Sequence, residues 1–380
     1  MPSQVSVSKS PNESLFMKVG EILGKNGFAK DASEAFLGLE FENESPIAME
    51  INDDKHWKYV PENSLRGFGF ESVLKKPLEK HDAFEAVRGL FSKQRLYFIG
   101  SGTIGAKETK LPFSNSIRTS VHVHFDATKL TFLQLFNFVC VYWMLEPLLQ
   151  YYCGKHRQGN LFCLRLRDSL ILKHALTKEL KQGSVLNSSI YEDSYRYSSV
   201  NFNSISKFGS IEFRMMRGVN HEDDAITWVE MLDAIRRYAI KFENPLQLRD
   251  AYLQEHDAKT FAKDVLGKEL WSNLSSYLPP DLAKNPTKVI REAFLSVVPI
   301  LSARPDWELV KNPIKKKAFT GFHQSSSSSL DLASVYHSMM ESQIPITDEG
   351  ELTYPISDIA DQYDSDFVAG IFYQQPQGDY

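Results

Sequence analysis

The run Ser210–Val219 alternates apolar residues with an acid and a base, and this alternation constrains the fold most strongly. Read as a β-strand, it places Ile211 and Phe213 on one face and Glu212 and Arg214 on the other. Taken alone, the acid–base pair is explained by a cross-strand salt bridge. The run by itself therefore leaves two interpretations open, an ion pair and part of a functional site.

A second run, Gly38–Glu44, places Glu40, Glu42 and Glu44 on one strand face. Neighbouring carboxylates on that face are about 6.6 Å apart and repel by about 2.5 kcal/mol at an effective dielectric constant of 20. A solvated edge strand would tolerate this repulsion. The intervening Leu39 indicates a packed strand instead, where divalent cations such as Mg²⁺ or Mn²⁺ would remove the repulsion.

A third run, Ser120–Asp126, places His122 and His124 on one face. The two histidines either bind a metal or are hydrogen-bonded residues of the core. A structural zinc site is not indicated, because no cysteine accompanies them. Imidazole and carboxylate ligands together suit Mn²⁺ as well as Mg²⁺. If the three runs form one metal site, Glu212 must face the same cavity as Glu40 and His122.

Arginines form the third component of the predicted site. Their planar guanidinium groups bind phosphate through paired hydrogen bonds. No phosphate-binding glycine loop of the Walker or dinucleotide type is present. Acids for metals and arginines for phosphate together indicate ATP chemistry on an open sheet. The arginines near the three runs are Arg157, Arg165, Arg196, Arg214 and Arg217.

Charge and cysteine usage narrow the class of protein. The net charge is -5, which implies no nucleic-acid or membrane partner. Residues 331–380 hold ten acids and no Lys or Arg, so residues 1–330 carry about +5. The three cysteines lack metal-binding spacing and fit a reducing compartment, and the N-terminus does not resemble a signal peptide. We expect a cytoplasmic protein.

Residues 130–152 are apolar and nearly long enough to cross a bilayer. They contain Glu146 and Pro147, and no charged flanks set an orientation. The segment is predicted to be a buried helix with a kink near Pro147, capped by Thr128 or Asp126. Strands and helices elsewhere do not alternate regularly, which predicts an α+β fold.

The motifs, taken in order, resemble the amidoligase family of carboxylate–amine ligases, known largely from bacteria and phages. The resemblance covers about residues 36–243. Each motif is short, and the collinear set is far more specific than any one of them. The matching stretches are Gly38–Glu42, Glu62–Arg66 with Gly69–Ser72, Val121–His124, Arg157–Asn160 with Cys163, Val200–Asn201 and Ile211–Arg214.

This resemblance implies a glutamine-synthetase-like fold, in which helices back a curved antiparallel sheet. ATP would phosphorylate a carboxylate, and an amine would displace the phosphate to leave an amide. The implied metal ligands are Glu40, Glu42, Glu71, His122 and Glu212. The implied phosphate contacts are His124 and Arg214, with Arg157 and Arg217 as further contacts to phosphate or to the acyl phosphate.

The expected organisation follows from the resemblance and from composition. A leader with a short helix occupies 1–35, and an amidoligase-like catalytic domain occupies 36–320, helical from about 222. A serine-rich linker at 321–329 joins it to an acidic tail at 330–380. Expected partners are small-molecule or peptide acids and amines, with a homo-oligomer left open.

Two departures from the family keep other functions open. The family's Asp-Gly-Ser stretch is replaced by Glu62-Asn63-Ser64, and Glu44 is an additional acid of unassigned role. A catalytically silent binding or assembly protein is the first alternative. A metal-dependent hydrolase built on the histidine strand is the second.

Overall fold

A computed structural model describes residues 14–50, 52–161, 163–182, 197–254, 258–304 and 306–307. The chain divides into two units, Met1–Ala318 and Phe319–Tyr380, and the described residues all belong to the first. The predicted polar start of the leader, the linker at 321–329, the tail at 330–380 and Arg196 lie outside the described residues.

An antiparallel sheet organises the described part of the chain. Its spatial order is β2-β3-β1-β5-β7-β6, and β4 pairs with the start of β1. This mixture of helices and antiparallel strands confirms the predicted α+β class. The strands are β1 (Phe36–Ser45), β2 (Trp57–Pro61), β3 (Phe68–Leu74), β4 (Leu78–Glu79), β5 (Ser120–Asp126), β6 (Val200–Asn201) and β7 (Ser210–Arg217).

Helices pack on the apolar face of the sheet, and further helices pack on those. The described residues from Glu222 to Leu301 are mostly helical. The helices are α1 (Val19–Leu23), α2 (Lys80–Gly100), α3 (Phe132–Cys153), α4 (Leu170–Gln182), α5 (Asn203–Phe208), α6 (Glu222–Ala239), α7 (Pro245–Gln254), α8 (Ala258–Tyr277), α9 (Pro280–Lys284) and α10 (Thr287–Leu301).

The apolar side chains of the alternating runs form the core beneath the sheet. Phe213 of β7 is fully buried and lies 5.0 Å, ring to ring, from Phe138 and 4.9 Å from Tyr142 of α3. Phe41 of β1 contacts Phe91 of α2 at 5.7 Å. Because successive strand residues point to opposite faces, this packing forces the charged residues of β1, β5 and β7 to the other face.

Helix α3 is the apolar segment predicted from residues 130–152. It is long and apolar enough to span a membrane. Of its most apolar 18-residue stretch, 94% is buried inside the fold. This burial fits the predicted core helix of a soluble protein. The helix is capped by Thr131 rather than by Thr128 or Asp126, because the Thr131 hydroxyl and the Gln134 side chain form a reciprocal capping box.

The apolar sequence of Asn160–Leu166 predicts a strand, and this prediction is wrong over the described residues of that segment. Leu164 forms only an isolated parallel bridge to Ser198. The backbone N–H of Leu166, which a ladder would use, instead donates to the buried carboxylate of Glu146 at 3.0 and 3.1 Å. Likewise, the sequence predicts a turn at Lys207–Gly209 between two strands, whereas helix α5 extends through Phe208.

Candidate active site

Acids and imidazoles form a row across four neighbouring strands. Glu71 of β3 is paired with Glu42 of β1, Glu40 of β1 with His122 of β5, and His124 of β5 with Glu212 of β7. Directly paired residues of antiparallel strands point to the same face. The three predicted runs therefore bring their polar side chains together on one face of the sheet.

Short distances connect the members of this row. The Nδ1 of His122 lies 3.1 Å from Glu40 Oε2 and 3.6 Å from Glu212 Oε1. The Nε2 of His124 lies 3.3 Å from Glu40 Oε1. Glu212 therefore faces the same cluster as Glu40 and His122, which the single-site hypothesis required.

Two sets of three side chains have the geometry to hold a metal ion. Glu40, His124 and Glu212 form one set, and Glu40, Glu71 and His122 form the other; in each, one ligand atom per residue lies within 4.8 Å of the others. Glu40 belongs to both sets and offers a different oxygen to each imidazole. The arrangement thus fits two cations that share one carboxylate.

A buried nitrogen supports the fit to a cation. His124 Nε2 is buried and makes no hydrogen bond of good geometry within the described chain, and its ionic contact is Glu40 Oε1 at 3.3 Å. A buried ring nitrogen without a partner is costly, and coordination of a metal would satisfy it. Carboxylate and imidazole donors together suit Mg²⁺ or Mn²⁺.

Opposing electrostatic effects act along the row. Burial and the charges of Glu40 and Glu42 raise the pKa of Glu71 to about 8. Burial favours neutral Glu40, but the hydrogen bond with His122 and the nearby imidazole of His124 outweigh it and hold the pKa of Glu40 well below its usual range. One carboxyl group in the row therefore stays protonated near neutral pH, and a bound divalent cation would displace that proton.

Glu42 lies beside the two ligand sets. Its carboxylate accepts a hydrogen bond from the hydroxyl of Ser120 and lies 3.8 Å from His122 Nε2. Glu42 belongs to neither set of three. The structure therefore brings Glu42 into the cluster at its edge, beside Glu71.

Arg214 closes the β7 end of the cluster. Its guanidinium pairs with Glu212, and its Nε is buried without a hydrogen-bond partner in the described chain. A bulge places Arg214 and Met215 together opposite His122, because Val121 pairs with Met216 while Val123 pairs with Phe213. The Arg214 guanidinium therefore lies next to the acidic cluster, where burial opposes its charge but Glu212, Glu42 and Glu40 raise its pKa.

Residues 106–236, about a third of the chain, match a family model described as a putative amidoligase enzyme. The amidoligase resemblance is confirmed. The matched stretch contains four residues of the site, namely His122, His124, Glu212 and Arg214. Glu40 and Glu71 precede it. No curated protein matches the chain in sequence.

Arg157 and Arg217, the other two arginines that the resemblance implies as phosphate contacts, have their observed contacts outside the two ligand sets. Arg157 is buried and donates to the backbone carbonyls of Met215 at 3.1 Å, Ile117 at 3.2 Å and Arg214 at 2.7 Å. These contacts tie a loop to the end of β7 and leave the Arg157 side chain engaged with the protein backbone.

Arg217 makes a similar set of local contacts. It forms an ion pair with Asp224 at 3.2 Å, donates to the Tyr152 carbonyl, and lies 6.0 Å from the Tyr152 ring. The carbonyls at the end of α3 attract a cation. Arg217 thus joins the end of α3 to the start of α6.

Three polar side chains of the site were not assigned from the sequence. Asn201 donates to Glu212 Oε2 at 2.6 Å, Ser120 lies 2.9 Å from His122 Nε2, and Ser210 lies 3.3 Å from His124 Nδ1. Ser120 and Ser210 each stand two residues before a site residue. The strand alternation that selected the histidines and Glu212 also marks these two serines.

Glu44, whose role the sequence left open, has a structural contact. Its buried carboxylate accepts the backbone N–H of Arg66 at 2.9 Å. This bond holds the loop between β2 and β3 against β1. Glu44 therefore supports the strand that carries Glu71.

Proposed function

We propose that this chain is an ATP-dependent carboxylate–amine ligase, with a glutamine-synthetase-like sheet, that forms an amide or peptide bond through an acyl phosphate. The observation that carries the proposal is the pair of ligand sets joined by Glu40 within an amidoligase-like chain. Two cations in one cluster suit phosphoryl transfer, in which charge develops on several oxygens at once.

The cations would be Mg²⁺ or Mn²⁺. Glu40, His124 and Glu212 would hold one, and Glu40, Glu71 and His122 the other, with Glu42 beside the second. When bound, the cations would neutralise negative charge on the phosphates of ATP.

Arg214 is the proposed contact to the transferring phosphoryl group, since its Nε is a buried donor without a partner among the described residues. His124, first expected to contact phosphate, is better supported as a metal ligand. The backbone contacts of Arg157 and the Asp224 pairing of Arg217 support structural roles for both.

The proposed reaction has two steps. A carboxylate oxygen of the acid attacks the γ-phosphorus of ATP, and ADP leaves with the electrons of the broken P–O bond. The amine nitrogen then attacks the acyl carbon, inorganic phosphate leaves, and the nitrogen gives up a proton. Fixed positive charge from Arg214 would act on the oxygens that gain charge in both steps.

Calorimetry with ATP and Mn²⁺ tests the proposal, followed by assays of ADP release with panels of acids and amines. We expect Glu40→Gln and Glu212→Gln to weaken ATP–Mn²⁺ binding by at least about ten-fold and to abolish ADP release. Glu269→Gln, an exposed position on α8, is the matched control. Unchanged ATP–Mn²⁺ binding in both site variants would overturn the ligase proposal.

A further inference from the structure

An apolar pocket of about 330 Å³ adjoins the ligand cluster. Its lining includes Glu40 and His124 at one end and three phenylalanines, Phe28, Phe36 and Phe208, along its walls. The volume falls within the range of small-molecule sites, which begins at roughly 300 Å³. Whatever enters this pocket lies directly beside the proposed reaction centre.

Two of the three phenylalanines are unusually exposed. Phe28 has 52% and Phe208 has 71% of its surface accessible to solvent. The Phe28 ring stacks on Phe36 with centroids 6.2 Å apart, and the Phe208 ring meets His124 edge-on at 6.3 Å. Large apolar rings left in water around one concave site are typical of a surface that binds an apolar group.

Specific contacts fix the backbone next to the two exposed phenylalanines. The Asp126 carboxylate accepts the N–H groups of Phe28 at 2.6 Å and Ala29 at 3.1 Å. Gly209 has a φ of 76° and ends α5 immediately after Phe208. The two exposed rings are therefore presented by anchored segments.

Most polar side chains in the lining are already engaged. Asp126 also accepts from the Thr128 N–H and hydroxyl, and Ser210 contacts His124. Lys75 donates to the Asp54 carbonyl. These side chains are already engaged and are not free to form hydrogen bonds with the polar edge of a nucleobase. The pocket walls therefore favour a hydrocarbon group.

Lys76 supplies the remaining recognition element. It is exposed, it lines the pocket, and it has no hydrogen bond or ion pair within the described part of the chain. A lysine without an ion-pair partner in the lining of an apolar pocket favours a ligand with a carboxylate outside its apolar body.

We propose that this pocket binds an α-amino acid with a large apolar side chain, which serves as the amine substrate. Its side chain lies between Phe28 and Phe208, its carboxylate meets Lys76, and its amino group points toward Glu40 and His124. The role of the amino acid as amine substrate rests on the proposed ligase function. The binding site itself is defined by the walls and by Lys76.

Ligand binding to the full chain tests the assignment, with and without Mn²⁺ and a non-hydrolysable ATP analogue. The probes are phenylalanine, glycine, phenethylamine, phenylpropionate and adenosine. We expect phenylalanine to bind at least about ten-fold more tightly than glycine, since burial of a benzyl group is worth more than one decade of affinity. Phenethylamine tests the amine and ring alone, and phenylpropionate tests the acid and ring alone.

Phe208→Ala is expected to weaken phenylalanine binding about ten-fold, and Lys76→Ala is expected to weaken phenylalanine but not phenethylamine. Leu96→Ala, which truncates a residue that is 67% exposed on α2, is the matched control and should leave binding unchanged. Equal binding of glycine and phenylalanine would overturn the assignment. Adenosine binding that depends on Phe208, without binding of phenylalanine, would overturn it in favour of a base subsite.

The ligase proposal fails separately from this one. If Glu40→Gln and Glu212→Gln leave ATP–Mn²⁺ binding intact while Phe208→Ala still weakens phenylalanine, the pocket remains an amino-acid site and the ligase function is wrong. If both site variants lose ATP–Mn²⁺ and Phe208→Ala changes nothing, only the pocket assignment is wrong.

Discussion

Glu40 lies directly opposite His122 on the neighbouring strand, and its Oε2 is 3.1 Å from the Nδ1 of that histidine. Its other oxygen lies 3.3 Å from the Nε2 of His124. One carboxylate therefore contacts both imidazoles of β5 at once. This position makes Glu40 the point at which the two proposed cation sites join.

The first prediction separates the two cation sites. Glu40→Gln should lower the affinity for both ions, because Glu40 belongs to both ligand sets, whereas Glu71→Gln should affect only one. Mn²⁺ titration followed by electron paramagnetic resonance should count two ions for the parent chain and one for Glu71→Gln. A single ion in the parent, or identical behaviour of the two variants, would contradict shared coordination. Glu269→Gln serves as the exposed control.

Strand alternation was enough to predict which site side chains share a face. Leu39 and Phe41 are buried in the core, so Glu40 and Glu42 point away from it. Alternation cannot state which strands are neighbours. The pairing of Glu40 with His122 joins residues that are 82 positions apart in sequence.

Other features of the site leave no mark in the sequence. The bulge that sets Arg214 and Met215 opposite His122 depends on how β5 and β7 pair, and no glycine or proline marks it. Arg157 has the residue type of a phosphate contact, but the carbonyls that bind it come from a distant loop and strand. Sequence pattern identified the charged residues and could not distinguish those that bind backbone from those that face a ligand.

The second prediction concerns Arg157. Arg157→Lys should lower the free energy of unfolding by about 2–4 kcal/mol, because lysine cannot reach three carbonyls at once and leaves buried acceptors unpaired. Urea denaturation measures the change. Arg88→Lys, at a half-exposed surface ion pair, should change stability by less than about 0.5 kcal/mol. Unaltered stability with weaker ATP binding would instead assign Arg157 to phosphate.

The third prediction is a pH dependence of stability that arises from Glu146. Burial raises the pKa of this carboxyl to about 7 in the folded chain, against an ordinary value of 4.5. Between these values the unfolded chain loses the proton first. The contribution of Glu146 to the free energy of unfolding should therefore fall by about 3 kcal/mol as pH rises from 4.5 to 7, with no further change from this group above that range.

Glu146→Gln tests this dependence, since its amide is neutral at every pH and occupies the same space. Relative to the parent, the variant should gain stability from pH 5 to pH 8 in guanidinium denaturation. The exposed Glu269→Gln should follow the parent. A parent and Glu146→Gln with parallel pH profiles would show that Glu146 ionises normally in the fold.

The fourth prediction concerns Asn201, which contacts Glu212 but belongs to neither ligand set. Its amide donates to Glu212 Oε2 at 2.6 Å while Arg214 pairs with Oε1, so both carboxylate oxygens are oriented. Asn201→Ala should lower Mn²⁺ affinity at the Glu40–His124–Glu212 site by about 10–100-fold, as loss of an outer hydrogen bond does in other metal sites. The Glu40–Glu71–His122 site should keep its affinity, which distinguishes positioning of Glu212 from general loss of structure. Asn273→Ala on the exposed face of α8 is the control, and equal loss at both sites would assign Asn201 to the stability of the fold.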